Sequence, residues 1–174
     1  MRRPVEAERI RAFMRALGAE ADRPGRVYLT GGATAVLLGW LEATIDVDLK
    51  LEPESDRLLR AIVRLKELLE VNVELAAPDQ FIPELPGWRE RSAFVAREGH
   101  LDFHHYDLYA QALAKIERGH AQDETDVEAM LSRGLVDRAE LRRLFAEIEP
   151  VLFRFPAIDA RAYRRAVEER TADV

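Results

Sequence analysis

The segment Ile45-Asp46-Val47-Asp48-Leu49-Lys50-Leu51 alternates apolar and charged residues without a break. A period of two sustained over seven residues is the pattern of a half-buried β-strand, apolar on one face and polar on the other. It constrains the fold more than any other stretch, because the apolar face needs a covering layer while Asp46 and Asp48 leave together from the opposite side. Their backbone positions are then about 7 Å apart, so their carboxylate oxygens can converge on shared divalent ions. Hard oxygen donors suit Mg²⁺ or Mn²⁺. Two such ions about 3.5–4 Å apart clamp the attacking and leaving oxygens of a phosphoryl displacement. A solvated amphipathic strand has the same spacing, so the pair takes its meaning from its neighbours.

Around this strand the chain reads as α+β. Ile10, Phe13, Met14 and Leu17 recur at helical spacing in the first twenty residues, and Asp22-Arg23-Pro24-Gly25 is turn chemistry. Arg26-Val27-Tyr28-Leu29-Thr30 is a short β run that stops at Gly31-Gly32, and Ala33 to Trp40 follows as an apolar helix. Ser55 or Asp56 caps a helix with Leu58, Leu59, Ile62, Val63, Leu65 and Leu69 on its apolar side. Val71-Asn72-Val73-Glu74-Leu75 alternates again, and Ser92–Arg97 with His100–Tyr106 form a hairpin split by Glu98-Gly99. From Asp107 onward the pattern is helical. Asp107 caps a segment stopped by Gly119, Asp123 starts one stopped by Gly134, and Asp137 and Asp159 cap two more. A small mixed β-sheet flanked by helices is expected over residues 1–106, with a helical bundle over 107–174 as part of the same domain.

Composition supports a globular chain of that size: 174 residues, 48% hydrophobic and 33% charged. A formal charge of −6 disfavours generic nucleic-acid binding, so an RNA partner needs a local basic patch. With no cysteine, disulfides, thiolate zinc sites and cysteine nucleophiles are excluded. The longest apolar run, around Ala35–Leu41, is too short for a membrane span, and the start of the chain is no apolar signal core. The expected setting is the cytoplasm.

Gly31-Gly32 lies where a strand turns into a helix. Glycine there permits close backbone approach, and a helix N-terminus offers free N–H groups and a positive dipole end to an anion. A triphosphate could bridge that turn and a metal-bearing strand. The combination of Thr30-Gly31-Gly32, fourteen positions from Gly32 to Asp46, and Ile45-Asp46-Val47-Asp48-Leu49 resembles the signature of the nucleotidyltransferase superfamily. Gly32 departs from the serine commoner there, so no hydroxyl contact to phosphate is available at that position; Thr30 and Thr34 are the candidates to supply one. The superfamily usually adds a third carboxylate on the strand after the second helix. That nominates Glu74, with Asp102 as the rival from the hairpin; either suits a metal ligand or a base for an attacking hydroxyl.

The C-terminal half carries a narrower resemblance. Tyr106-Asp107-Leu108-Tyr109-Ala110-Gln111-Ala112-Leu113-Ala114-Lys115-Ile116 and Asp123-Glu124-Thr125-Asp126-Val127 resemble stretches of bacterial AbiEii/MenT-type nucleotidyltransferases, toxins of toxin–antitoxin or abortive-infection pairs. In length and helical tail the chain is also similar to a compact family of uncharacterised bacterial nucleotidyltransferase-like proteins. The resemblance spans roughly residues 26–133. It implies that Lys115 contacts nucleotide phosphate and that Asp126 or Asp123 completes the site. Read from the residues alone, a lysine ammonium is a good point charge for phosphate, and Lys115 with either acid equally makes an ordinary surface ion pair.

Other constellations are weaker. His100, Asp102, His104 and Tyr106 alternate on one strand face, which suggests a histidine metal site but lacks further ligands. Trp88 and Arg91 either line a nucleobase pocket or anchor a loop. The expected protein is a Mg²⁺- or Mn²⁺-dependent nucleotidyltransferase moving a nucleoside monophosphate from an NTP to a hydroxyl. By the resemblance, the acceptor is tRNA or protein and a cognate antitoxin binds the chain. The alternative is an inactive member of the fold acting as a binding or antitoxin-like partner.

Overall fold

The structure is a computed structural model that describes residues 3–173. Met1, Arg2 and Val174, at the ends of the two expected segments, lie outside the described residues. The chain forms two compact units. One comprises the chain up to Ala77 with Ser92–Tyr106; the other comprises Pro78–Arg91 and the chain from Asp107 on.

The first unit is the α/β part. Its elements are β1 (Val5–Glu6), α1 (Ala7–Glu20), β2 (Gly25–Thr30), α2 (Gly31–Leu38), β3 (Ala43–Thr44), β4 (Asp46–Glu52), α3 (Asp56–Leu68), β5 (Asn72–Glu74), β6 (Phe94–Glu98) and β7 (Leu101–His105). Five strands form one mixed sheet in the order β5-β4-β2-β7-β6. β2 runs antiparallel to β4 and parallel to β7, β4 is parallel to β5, and β6 closes the hairpin with β7. Burial on β4 alternates residue by residue: Val47, Leu49 and Leu51 are buried, while Asp46, Asp48 and Lys50 are half-buried on the other face. The apolar face joins Val27, Leu29, Val73 and Phe103 to the stripes of α1 (Ile10, Phe13, Met14, Leu17) and α3 (Leu58, Ile62, Leu65) in one core. Ser55 caps α3 by accepting from the Leu58 amide.

β1 and β3 form a separate two-stranded ladder, Val5 opposite Thr44, which the sequence pattern did not announce. Two residues are too few to carry a period.

The second unit is helical: α4 (Trp88–Arg91), α5 (Leu108–Arg118), α6 (Ala121–Ser132), α7 (Arg138–Ile148) and α8 (Ala160–Thr171), with 3₁₀ turns at Pro78–Gln80 and Glu149–Arg154. Asp107, Asp137 and Asp159 cap α5, α7 and α8 through backbone amides, as residues of that type do. α6 begins earlier than the position of Asp123 suggests. His120 is its N-cap, and Asp123 sits at the third helical position, its carboxylate accepting from the His120 amide. Leu113, Met130, Leu144 and Ile148 are buried, Phe145 meets Tyr163 edge-on at 4.9 Å, and the Tyr163 hydroxyl donates to Leu113 O at 2.8 Å. Among the described residues no helix is long and apolar enough to cross a membrane.

Candidate functional site

β2 passes into α2 with no residue between them, and Gly31 makes the corner at φ +61°. Thr30, the N-cap residue, makes no side-chain cap hydrogen bond to the first turn. An L-residue rarely adopts the left-handed region, and here a second contact disfavours one. An ideal Cβ on Gly31 would lie 2.8 Å from Asp48 Oδ2, so the carboxylate is aimed at the glycine corner. A Cβ on Gly32 would overlap Thr44 Oγ1 and come within 2.6 Å of Thr44 Cβ.

Register gathers the acids. Asp48 stands opposite Thr30 on β2 and opposite Glu74 on β5, so three oxygen-bearing side chains form one row across the polar face. Asp46 is opposite Asn72. The Asn72 amide donates to Asp46 Oδ1 at 2.5 Å and to Glu74 Oε1 at 3.2 Å, tying the first and third acids together. Asn72 was not a candidate from the sequence. Its place beside Glu74 in an alternating segment was the available signal, but its partner on β4 depends on register.

The rival acid is elsewhere. Asp102 on β7 stands opposite Arg26, and Arg97 grips both its oxygens at 2.6 and 3.0 Å. That guanidinium holds the Asp102 carboxyl below the usual carboxylate range.

Thr34, nominated for phosphate, turns the other way. It is fully buried, donates to Leu29 O at 3.2 Å, and lies 3.0 Å from His105 Nδ1. Burial pushes the His105 imidazole down to about 4, so it is neutral at pH 7. His100 lies in the turn between β6 and β7, and His104 pairs through Nδ1 with Ser92 O at 3.0 Å. Among the described residues the histidines take part in no metal-binding cluster.

In the helical unit, Lys115 and Asp126 do meet. Lys115 Nζ is 2.8 Å from Asp126 Oδ2 and 3.6 Å from Asp123 Oδ1, with all three residues buried. Gln122 donates to the other Asp126 oxygen at 3.1 Å, and Arg118 chelates Asp123. Burial favours the neutral acid, yet Arg118 and then Lys115 hold the Asp123 carboxyl below its ordinary value. The pair is thus a buried network joining α5 to α6, in place of the surface ion pair that the residues alone suggest. Trp88 is 1% exposed with the Arg89 guanidinium 4.4 Å over its ring, and Arg91 binds Asp107 and Pro86 O. Both side chains anchor the 78–91 segment.

Among the described residues no three His, Asp or Glu side chains are gathered tightly enough to hold a metal ion. The donor set of Asp46 and Asp48 nevertheless fits Mg²⁺, which is usually held by one or two carboxylates together with substrate phosphates and waters.

No curated protein and no solved structure matches the chain. Residues 7–170 match the model of a family described as nucleotidyltransferases of unknown function (DUF6036). That span covers both units, from α1 to α8, and the chain belongs to this family.

Proposed function

We propose that the chain transfers a nucleoside monophosphate from an NTP to a hydroxyl acceptor on tRNA or protein, with Mg²⁺ or Mn²⁺ as the metal. The observation that carries this reading is the Asp48 carboxylate directed at Gly31, in one row with Thr30 and Glu74. Asp46 and Asp48 hold the metal. Bound there, it neutralises charge on the triphosphate and on the departing pyrophosphate. The amides of the first turn of α2, at Gly31 and Gly32, receive phosphate oxygens. Glu74, exposed at the sheet edge, accepts the acceptor's proton while that oxygen bonds to the α-phosphorus and the α–β anhydride bond breaks. Asn72 keeps Glu74 and Asp46 in register with each other.

Because two carboxylates complete no metal shell alone, metal binding depends on nucleotide. Manganese affinity is expected to be weak without NTP and to rise with it. The role that the toxin resemblance gives Lys115 and Asp126 is part of the proposal in a restricted form. Their mutual neutralisation means that a phosphate reaching Lys115 has to displace a carboxylate. A cognate antitoxin as partner rests on the same resemblance.

The test is incubation with each α-labelled NTP, Mg²⁺ and total cellular RNA or protein, beside Asp46→Asn. Transfer that is lost in the variant while the parent transfers label supports the reading. Transfer by Asp46→Asn at the normal rate refutes it. Absence of both transfer and nucleotide-dependent metal binding favours the inactive binding partner.

A further inference from the structure

Thr44 has no role in the reading above, yet it touches both halves of the site. It ends β3, and the chain bends at Ile45 before entering β4. Its hydroxyl donates to Asp46 O at 3.0 Å, stitching that bend. The same side chain occupies the volume that any side chain on residue 32 would fill. It is therefore wedged between the backbone of the first metal-bearing residue and the first turn of α2. On the far side Thr44 is fixed by its ladder pairing with Val5, a fully buried residue.

We infer that Thr44 is a positioning residue, setting the gap between the α2 corner and Asp46 into which a metal-bound triphosphate must fit. The inference rests on the nucleotidyltransferase reading. It assigns Thr44 no contact with substrate. Its hydroxyl holds the Asp46 backbone, and the same oxygen together with the Cβ fills the space beside Gly32. A side chain at 32 and a side chain of this size at 44 exclude each other, so Gly32 is the partner that makes room for the wedge. Removing the hydroxyl without changing the shape leaves the wedge and frees the bend, so Asp46 loses its fixed distance from the corner.

The experiment measures Mn²⁺ binding by electron paramagnetic resonance, with α,β-methylene analogues of the four NTPs offered singly, for the full chain and four variants, Asp46→Asn among them. Thr44→Val keeps the shape and deletes the donor. It is expected to weaken nucleotide-dependent Mn²⁺ binding about five- to tenfold, the scale of one lost hydrogen bond, while melting cooperatively near the parent midpoint. Thr44→Ser keeps the donor and is expected to bind within about twofold of the parent. Gly32→Ala is expected to weaken binding at least as much as Thr44→Val, because its Cβ displaces the wedge.

Parent-like binding by Thr44→Val overturns the positioning role, and loss of binding in Asp46→Asn at the same time leaves the broader reading standing. A Thr44→Val protein that no longer melts cooperatively also overturns it, in favour of a purely structural threonine. A parent chain that binds no Mn²⁺ with any analogue overturns the nucleotidyltransferase reading and this inference with it.

Discussion

Gly31→Ala probes the feature on which the site depends, and its cost separates into two parts. The first is local: alanine at φ +61° sits in the left-handed region, at about 1–2 kcal/mol. The second comes from Asp48. The new Cβ would stand 2.8 Å from Oδ2, short of the 3.4 Å at which ordinary contact begins, so the carboxylate must swing aside. The atom is the far end of a side chain, and rotating it off its preferred well costs about 0.5–1.5 kcal/mol. In an Asp48→Ala background the nearest remaining atom is the Asp48 Cβ at 4.0 Å, so only the backbone part survives. Gly31→Ala should therefore destabilise the parent by about 1.5–3.5 kcal/mol and the Asp48→Ala protein by about 1–2, a coupling of about 0.5–1.5 kcal/mol. Urea denaturation of the four proteins at fixed m-value reads the cycle. The displaced carboxylate should also weaken nucleotide-dependent Mn²⁺ binding. Coupling below about 0.3 kcal/mol with unchanged Mn²⁺ affinity would mean that Asp48 does not face the glycine corner, and the proposed site would fall with it.

Three further perturbations address separate parts of the molecule. Asn72→Ala releases Asp46 and Glu74 from their shared amide and should weaken nucleotide-dependent Mn²⁺ binding about tenfold at a stability cost of about 1 kcal/mol; unchanged binding would show that the bridge orders nothing. His105 carries a pKa near 4 when folded against 6.5 when unfolded, so the unfolded chain binds the proton first as pH falls. Its contribution is complete above pH 6.5 and is lost towards pH 4, by about 3 kcal/mol, and His105→Asn should remove that part of the acid slope in urea titrations. An unaltered slope would mean that the imidazole is accessible to protons in the folded state. Lys115→Met leaves two buried carboxylates without their ammonium and should cost about 3–5 kcal/mol, most of it recovered in Lys115→Met/Asp126→Leu. A loss below about 1 kcal/mol would show that the network is solvated.

Much of the fold was legible because its signals are periodic or terminal. The alternation of β4, the stripe of α1 and the aspartate caps of α5, α7 and α8 each depend on a few neighbouring residues, and each appears where the sequence puts it. What was illegible depends on pairing between distant segments. Thr34 reads as a hydroxyl near a phosphate corner, but a helix has two sides, and the location of His105 on β7 decides which side Thr34 takes. Lys115 and Asp126 read as a surface pair because opposite charges on separate helices usually meet in solvent; their burial follows from α5 packing on α6. Asn72 could not be nominated before β5 was set beside β4, since a one-residue slip would have sent its amide to the opposite face.

The glycine pair shows how such non-local facts change a motif's meaning. In sequence the two residues read together as one strand-to-helix turn. In the folded chain they answer different neighbours: residue 31 is bare because Asp48 needs the space, and residue 32 is bare because Thr44 fills it. Both demands come from the same short segment that bends at Ile45, so moving the bend by one residue would break both contacts at once. The corner and the acid-bearing strand therefore form one mechanical unit. A serine at position 32 is incompatible with Thr44 as it stands, and any chain with this fold and a side chain there needs a smaller residue at the end of β3 or a wider gap beside Asp46.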